Sequence, residues 1–160
     1  MGETMPSTTR LRRTAATGGA LLAALALAAG PVQAAPGDPT LAGTDTHGFT
    51  TQPAARCDGA DRATALFTGG NGDPYRFAVC RTANGAPYLR AWANGRPSLA
   101  DTQGPRIGLR GTAVNGSDTL FAAGGATVDV GVSPIAIRWP DNGAGAWTVS
   151  YPIRAAWHRG

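Results

Sequence analysis

From residue 56 onward, apolar and polar positions alternate with a period of two, in short runs separated by Gly, Pro, Asn and Asp. Period-two alternation puts every second side chain on the same face of an extended segment, so each run reads as a β-strand. Residues 63–68 form the first, closed by Gly69-Gly70-Asn71-Gly72-Asp73. Tyr75, Phe77 and Val79 then alternate with Arg76, Ala78 and Cys80, and Tyr88, Arg90 and Trp92 with Leu89, Ala91 and Ala93. Ser98-Leu99 and residues 107–110 read as weaker strands on either side of a Gly/Pro loop. Residues 119–123 and 126–132 flank the turn dipeptide Gly124-Gly125, with Val128, Val130 and Val132 on one face. Ile135, Ile137 and Trp139, then Trp147, Val149 and Tyr151, then Ile153, Ala155 and Trp157 complete the series. Strands at this spacing, with turns between them, predict an all-β fold: a small antiparallel sandwich or barrel of about 7–9 short strands.

Asn84-Gly85 and Asn94-Gly95 are the sharpest turn signals, because Asn and Gly tolerate positive φ. With Asn84-Gly85 as a two-residue loop, Ala83 faces Ala86, and the count outward pairs Phe77 with Trp92, Val79 with Arg90 and Arg81 with Tyr88. That register collects Phe77, Arg81, Tyr88, Arg90 and Trp92 on one aromatic–Arg face and leaves Ala78, Cys80 and Leu89 on the other. Two assignments fit the pattern. Either the small apolar face is the core and the aromatic–Arg face is open for binding, or Phe77, Val79 and Trp92 are core and the Arg heads reach outward.

The N-terminus has a different grammar. Arg10, Arg12 and Arg13 precede an uncharged Ala/Leu-rich run and then Val32-Gln33-Ala34, a small-x-small pattern. Residues 1–34 therefore read as a signal peptide cleaved after Ala34, and the protein as secreted. The run is shorter than the roughly 20 residues of a membrane-spanning helix, so no membrane span is expected after cleavage. The Arg12-Arg13 pair leaves both the general secretory and the twin-arginine routes open. Residues 35–55, rich in Pro, Gly, Asp and Thr, read as a flexible lead in which Phe49 is the residue fit to dock, and residues 56–160 as the all-β domain.

Composition strengthens the β reading. Beyond residue 34 there is no Lys, Glu or Met, so three good helix formers are missing. The formal charge of +4 includes the N-terminal arginines; without Arg10, Arg12, Arg13 and Glu3, 11 Arg against 9 Asp leave +2. These charges are scattered rather than clustered, which argues against a nucleic-acid partner. Cys57 and Cys80 are the only cysteines, and in an exported chain an even count predicts a disulfide.

Candidate chemistry is sparse. His47 and His158 are the only histidines. None of Ser98, Ser117, Ser133 or Ser150 stands in a nucleophile-elbow context. Asp58, Asp61 and Asp73 form a possible carboxylate group, and Gly69-Gly70-Asn71-Gly72-Asp73 resembles a calcium-binding glycine-rich repeat, yet it occurs once and too few oxygens accompany it. No cofactor, metal or catalytic residue is therefore expected. Trp92, Trp139, Trp147 and Trp157 all fall on alternating strands, as core residues or as a row for stacking.

Two stretches carry a resemblance. They are Tyr75-Arg76-Phe77-Ala78-Val79-Cys80-Arg81 with Asn84-Gly85 and Tyr88, and Gly125-Ala126-Thr127-Val128 leading to Val132-Ser133-Pro134-Ile135-Ala136-Ile137. Over about residues 57–157 the chain resembles small secreted β domains of high-GC Gram-positive bacteria, which also occur near the extracellular ends of membrane serine/threonine kinases. The resemblance implies an extracytoplasmic β domain and no functional residues. The expected function is a secreted, non-enzymatic binding or envelope-associated module, with cell-wall glycan or an extracellular protein as partner. The alternatives are an inhibitor or toxin acting through a loop at residues 69–74 or 140–145, and a small hydrolase using Asp and His.

Overall fold

The computed structural model describes residues 37–70, 74–98, 100, 104–143 and 145–160. The signal-peptide reading of residues 1–34 lies outside them, as do Asp73 and Leu99. The chain is all-β. After two residue pairs, β1 (Thr44–Asp45) and β2 (Gly48–Phe49), come β3 (Arg62–Gly69), β4 (Tyr75–Arg81), β5 (Pro87–Asn94) and β6 (Arg106–Ala113). These are followed by β7 (Leu120–Ala123), β8 (Ala126–Asp129), β9 (Ile135–Trp139), β10 (Trp147–Tyr151) and β11 (Ala155–His158). Strands β3 to β10 form an antiparallel meander in which each pairs with its sequence neighbour, and β11 adds beside β3, giving one nine-stranded sheet.

The sheet curls into a half-barrel. One apolar cluster takes Phe67 from β3, Phe77 from β4, Leu89 from β5, Phe121 from β7, Val128 from β8, Ile137 from β9 and Tyr151 from β10. Strands that are far apart in the sheet order can share one cluster only if their common face is concave. Tyr151 shows the closure: its ring packs edge-on against Tyr75 (4.5 Å between centroids) and Phe77 (5.3 Å), and its hydroxyl accepts the Asn94 amide at 3.1 Å. The two edge strands, β10 and β11, are consecutive in the chain and joined only by Pro152, Ile153 and Arg154. Where that connection passes β3, an ideal Cβ on Gly69 would stand 2.1 Å from the Pro152 carbonyl oxygen, so only glycine permits the crossing.

The convex face is covered as well. Leu41, Phe49, Ala55 and Cys57 pack on Ala63, Leu66, Ala78, Cys80, Tyr88, Trp92 and Trp157. Phe49 docks as the sequence suggests, but residues 41–57 do not run loose as a lead: they form a strap over the sheet. Backbone bonds fasten it, from the Cys57 amide to the His47 carbonyl (2.8 Å) and from the Ala63 amide to Thr46 (2.9 Å). The Cys57–Cys80 disulfide joins the strap's end to β4, with Cys80 fully buried.

The β4–β5 register differs by one residue from the two-residue loop. The pairs are Phe77↔Ala91, Val79↔Leu89, Cys80↔Tyr88 and Arg76↔Trp92. Thr82 donates its amide to the Ala86 carbonyl at 3.0 Å, which leaves Ala83, Asn84 and Gly85 as a three-residue loop. Gly85 has φ 82°, whereas Asn84 keeps a negative φ, so the two-residue turn that needs positive φ at both positions does not form. Asn94-Gly95 is not a tight turn either. Pairing continues through Asn94↔Arg106, and the Gly95 amide donates to the Pro105 carbonyl, so the connection is long. At Gly124-Gly125 both residues take positive φ (57° and 80°), and the hairpin closes on Ala123↔Ala126, as the pattern predicts.

Candidate functional site

The one-residue shift divides the predicted aromatic–Arg face. Phe77 (1% exposed) points into the half-barrel among the apolar cluster, and Arg81 stands at its rim. Tyr88, Arg90 and Trp92 lie on the convex face beneath and beside the strap. These three do not form an open platform. Tyr88 is 4% exposed; its hydroxyl accepts the Asp58 amide at 2.7 Å and donates to Asp61 Oδ2 at 2.9 Å. Burial pushes its phenol up to about 12; the Asp61 hydrogen bond and the charges of Asp58 and Asp61 add to this, and the Asp58 amide opposes it. Arg90 donates its Nε to the Arg56 carbonyl at 3.1 Å and pairs with Asp58 at 3.5 Å. Asp58 also accepts Arg110 Nε at 3.0 Å, and the Arg110 guanidinium lies 4.9 Å over the Tyr88 ring. The guanidinium groups thus tie the strap to the sheet.

The strap's histidine and first carboxylate belong to the same fastening. His47 Nδ1 is 2.7 Å from the Asp61 carbonyl oxygen, which can only accept, so Nδ1 carries the proton. Burial pushes the Asp45 carboxyl up, but the Arg56 hydrogen bond (2.7 Å), the His47 amide and the neighbouring positive charge outweigh it and hold the group below its ordinary 3.8. Among the described residues, no three His, Cys, Asp or Glu side chains converge as a metal site would require. Of the four tryptophans, Trp139 is 5% exposed and the other three are half-buried, so no aromatic row is displayed.

The concave side holds the feature best built to receive something. Where the curled sheet diverges, β3, β4 and β11 on one side and the segments before β7 and after β8 on the other border a half-open cavity of about 920 Å³. Its floor is apolar, with Ala65, Phe67, Val79, Val130 and Ile153. Its rim carries Arg62, Arg81, His158 and Arg159 with Asp61 and Asp118. Val132, 42% exposed and one of the few large apolar side chains open to water, also lies on the rim.

The strand chemistry explains the placements. In β3 the register slips between Ala63 and Ala65, so Thr64 is the extra residue of a bulge. A bulge reverses side-chain parity across itself. Ala63 therefore joins the convex cluster, while Ala65 and Phe67 face inward and Arg62 pairs with Arg81 on the rim. In β11, Trp157 lies opposite Leu66 on the convex side, and His158 lies opposite Ala65 on the concave side. The His158 ring stacks edge-on against Phe67 at 5.1 Å between centroids. The Arg159 amide donates to Thr64 at 2.8 Å. Arg81 bonds Asp118 Oδ2 at 2.6 Å and the Gly85 carbonyl at 2.7 Å. Ser133 borders the same cavity as His158, but among the described residues no hydrogen bond joins them.

Of the residues singled out from sequence, the cavity therefore gathers Arg81, His158, Ser133 and Asp61 with the strand positions Val130 and Ile153, together with Arg62 and Asp118, which no motif marks. A bulge and a closure between distant strands assemble them, and neither leaves a local signal. Among the described residues, no helix is long and apolar enough to cross a membrane. The chain matches no family model, no curated protein and no solved structure.

Proposed function

We propose that the protein is an exported, non-enzymatic binding module that takes a small ligand into the mouth of its half-barrel. The observation that carries this reading is the 920 Å³ cavity with an apolar floor and a charged rim. Binding sites typically have about this size (roughly 300–1,000 Å³) and this mixture of apolar wall and few polar groups. Export is supported by the Arg10-to-Ala34 pattern and by a disulfide, a bond favoured outside the reducing cytosol. Glycan or protein recognition by the Tyr88–Arg90–Trp92 side is less favoured, because those groups are already engaged with the strap.

The test is a fragment screen of apolar and amphipathic small molecules, read by amide chemical shifts. Bound fragments are expected to move Thr64, Thr82 and Gly131, and Ala65→Trp, which fills the floor, is expected to weaken them by about tenfold or more. Shifts confined to Tyr88, Arg90 and Trp92 would overturn the cavity reading in favour of the convex side. A screen without any shift would overturn both.

A further inference from the structure

We infer that the mouth selects a small amphipathic anion: an apolar body carrying a single carboxylate or phosphate. The inference rests on the cavity reading above and adds the charge of the ligand.

The rim gathers three arginines, Arg62, Arg81 and Arg159, against two side-chain carboxylates, Asp61 and Asp118. Adjacent strands bring three arginines to one end of the sheet: Arg62 on β3 lies directly opposite Arg81 on β4, and Arg159 follows β11, with its amide on the Thr64 carbonyl. Like charges directly opposite in a sheet repel. Without the β3 bulge, the inward parity of Ala65 and Phe67 would send Arg62 to the convex side; the bulge places two guanidinium groups together instead. Among the described residues, Arg81 alone of the three is answered by a carboxylate, that of Asp118, in a pair whose members are 40% and 55% exposed. Among the described residues Arg62 has no carboxylate partner. Asp61, the other side-chain acid at the rim, accepts a hydrogen bond from the Tyr88 hydroxyl on the strap side. An anionic head between Arg62 and Arg81 would relieve their repulsion and gain charge-assisted hydrogen bonds. Its apolar body would lie on Phe67, Val79, Val130 and Ile153 and cover Val132.

The head and the body are separable by probe. Octanoate, octyl phosphate, octanol and octyltrimethylammonium share one tail and differ in charge. Titrated into the full chain as the cell processes it, octanoate or octyl phosphate is expected to bind about tenfold more tightly than octanol, and octyltrimethylammonium more weakly than octanol. Which of the two anions binds better identifies the head as carboxylate or phosphate. Added salt should weaken the anions and leave octanol unchanged. Arg62→Gln, an exposed position, should cost the anions about fivefold without altering octanol and without lowering the melting temperature, since it also removes the repulsion from Arg81. Equal binding of all four probes, or anion binding indifferent to Arg62→Gln, would overturn the charge inference while leaving the cavity reading standing. If no probe binds and Ala65→Trp changes nothing, the cavity reading fails with it.

Discussion

Tyr88 shows how one side chain serves both packing and polarity. Its ring completes the convex cluster, and its hydroxyl satisfies an amide and a carboxylate on the strap. Tyr88→Phe keeps the ring but strands both partners, a loss of about 1–3 kcal/mol. The phenol also links stability to pH. Its folded value is raised from 10.0 to about 12, so its contribution is complete below pH 10 and disappears as pH rises through 12. Tyr151, raised in the same direction chiefly by burial, acts likewise. Thermal melts between pH 9 and 12 should show falling stability, with a shallower fall in Tyr88→Phe; an identical slope in the variant would assign the effect elsewhere.

At the scale of elements, the β4–β5 hairpin carries the main lesson. Asn84-Gly85 marks the turn correctly, and the strand limits, Tyr75–Arg81 and Pro87–Asn94, lie close to those the alternation predicts. One additional loop residue moves Tyr88, Arg90 and Trp92 to the face opposite Phe77, since side chains repeat every two residues. The strap is the second element that alternation does not reveal: its few apolar groups, Leu41, Phe49 and Ala55, have no period, yet they meet a sheet face that needs cover. The disulfide closes a loop with a sequence separation of 23, for which chain entropy gives about 3 kcal/mol. Replacing both cysteines by Ala should lower unfolding free energy in denaturant titrations by about that amount. Hydrogen exchange should then quicken first in residues 44–58, with β7 to β9 keeping their protection. Uniform loss of protection would mean that strap and half-barrel unfold as one unit.

On the scale of the whole molecule, the half-barrel depends on the crossing of Pro152–Arg154 over Gly69. Gly69→Ala places a methyl group against the Pro152 carbonyl and pushes the connection away, with β11 following it. A cost of about 1–3 kcal/mol is expected, as for an overpacked core. Because β11 and Ile153 form part of the mouth, octanoate binding should weaken in the same variant. Retained stability in denaturant together with unchanged octanoate affinity would show that the crossing does not hold the mouth.

The sequence by itself determined the nine strands of the large sheet, though not β1 and β2, along with most of their limits, the Gly124-Gly125 turn and the cysteine pair. Alternation, missing helix formers and turn residues are local properties, so they survive in one dimension. Tertiary structure alone decided which face of each strand is inside, because register depends on a loop residue's φ and on a bulge at Thr64. It also decided that residues 41–57 cover the sheet and that Arg62, Arg81, His158 and Arg159 meet around one cavity. Those groups become neighbours only when the sheet curls and its last strand returns beside β3, a closure between positions far apart in the chain that no local pattern encodes.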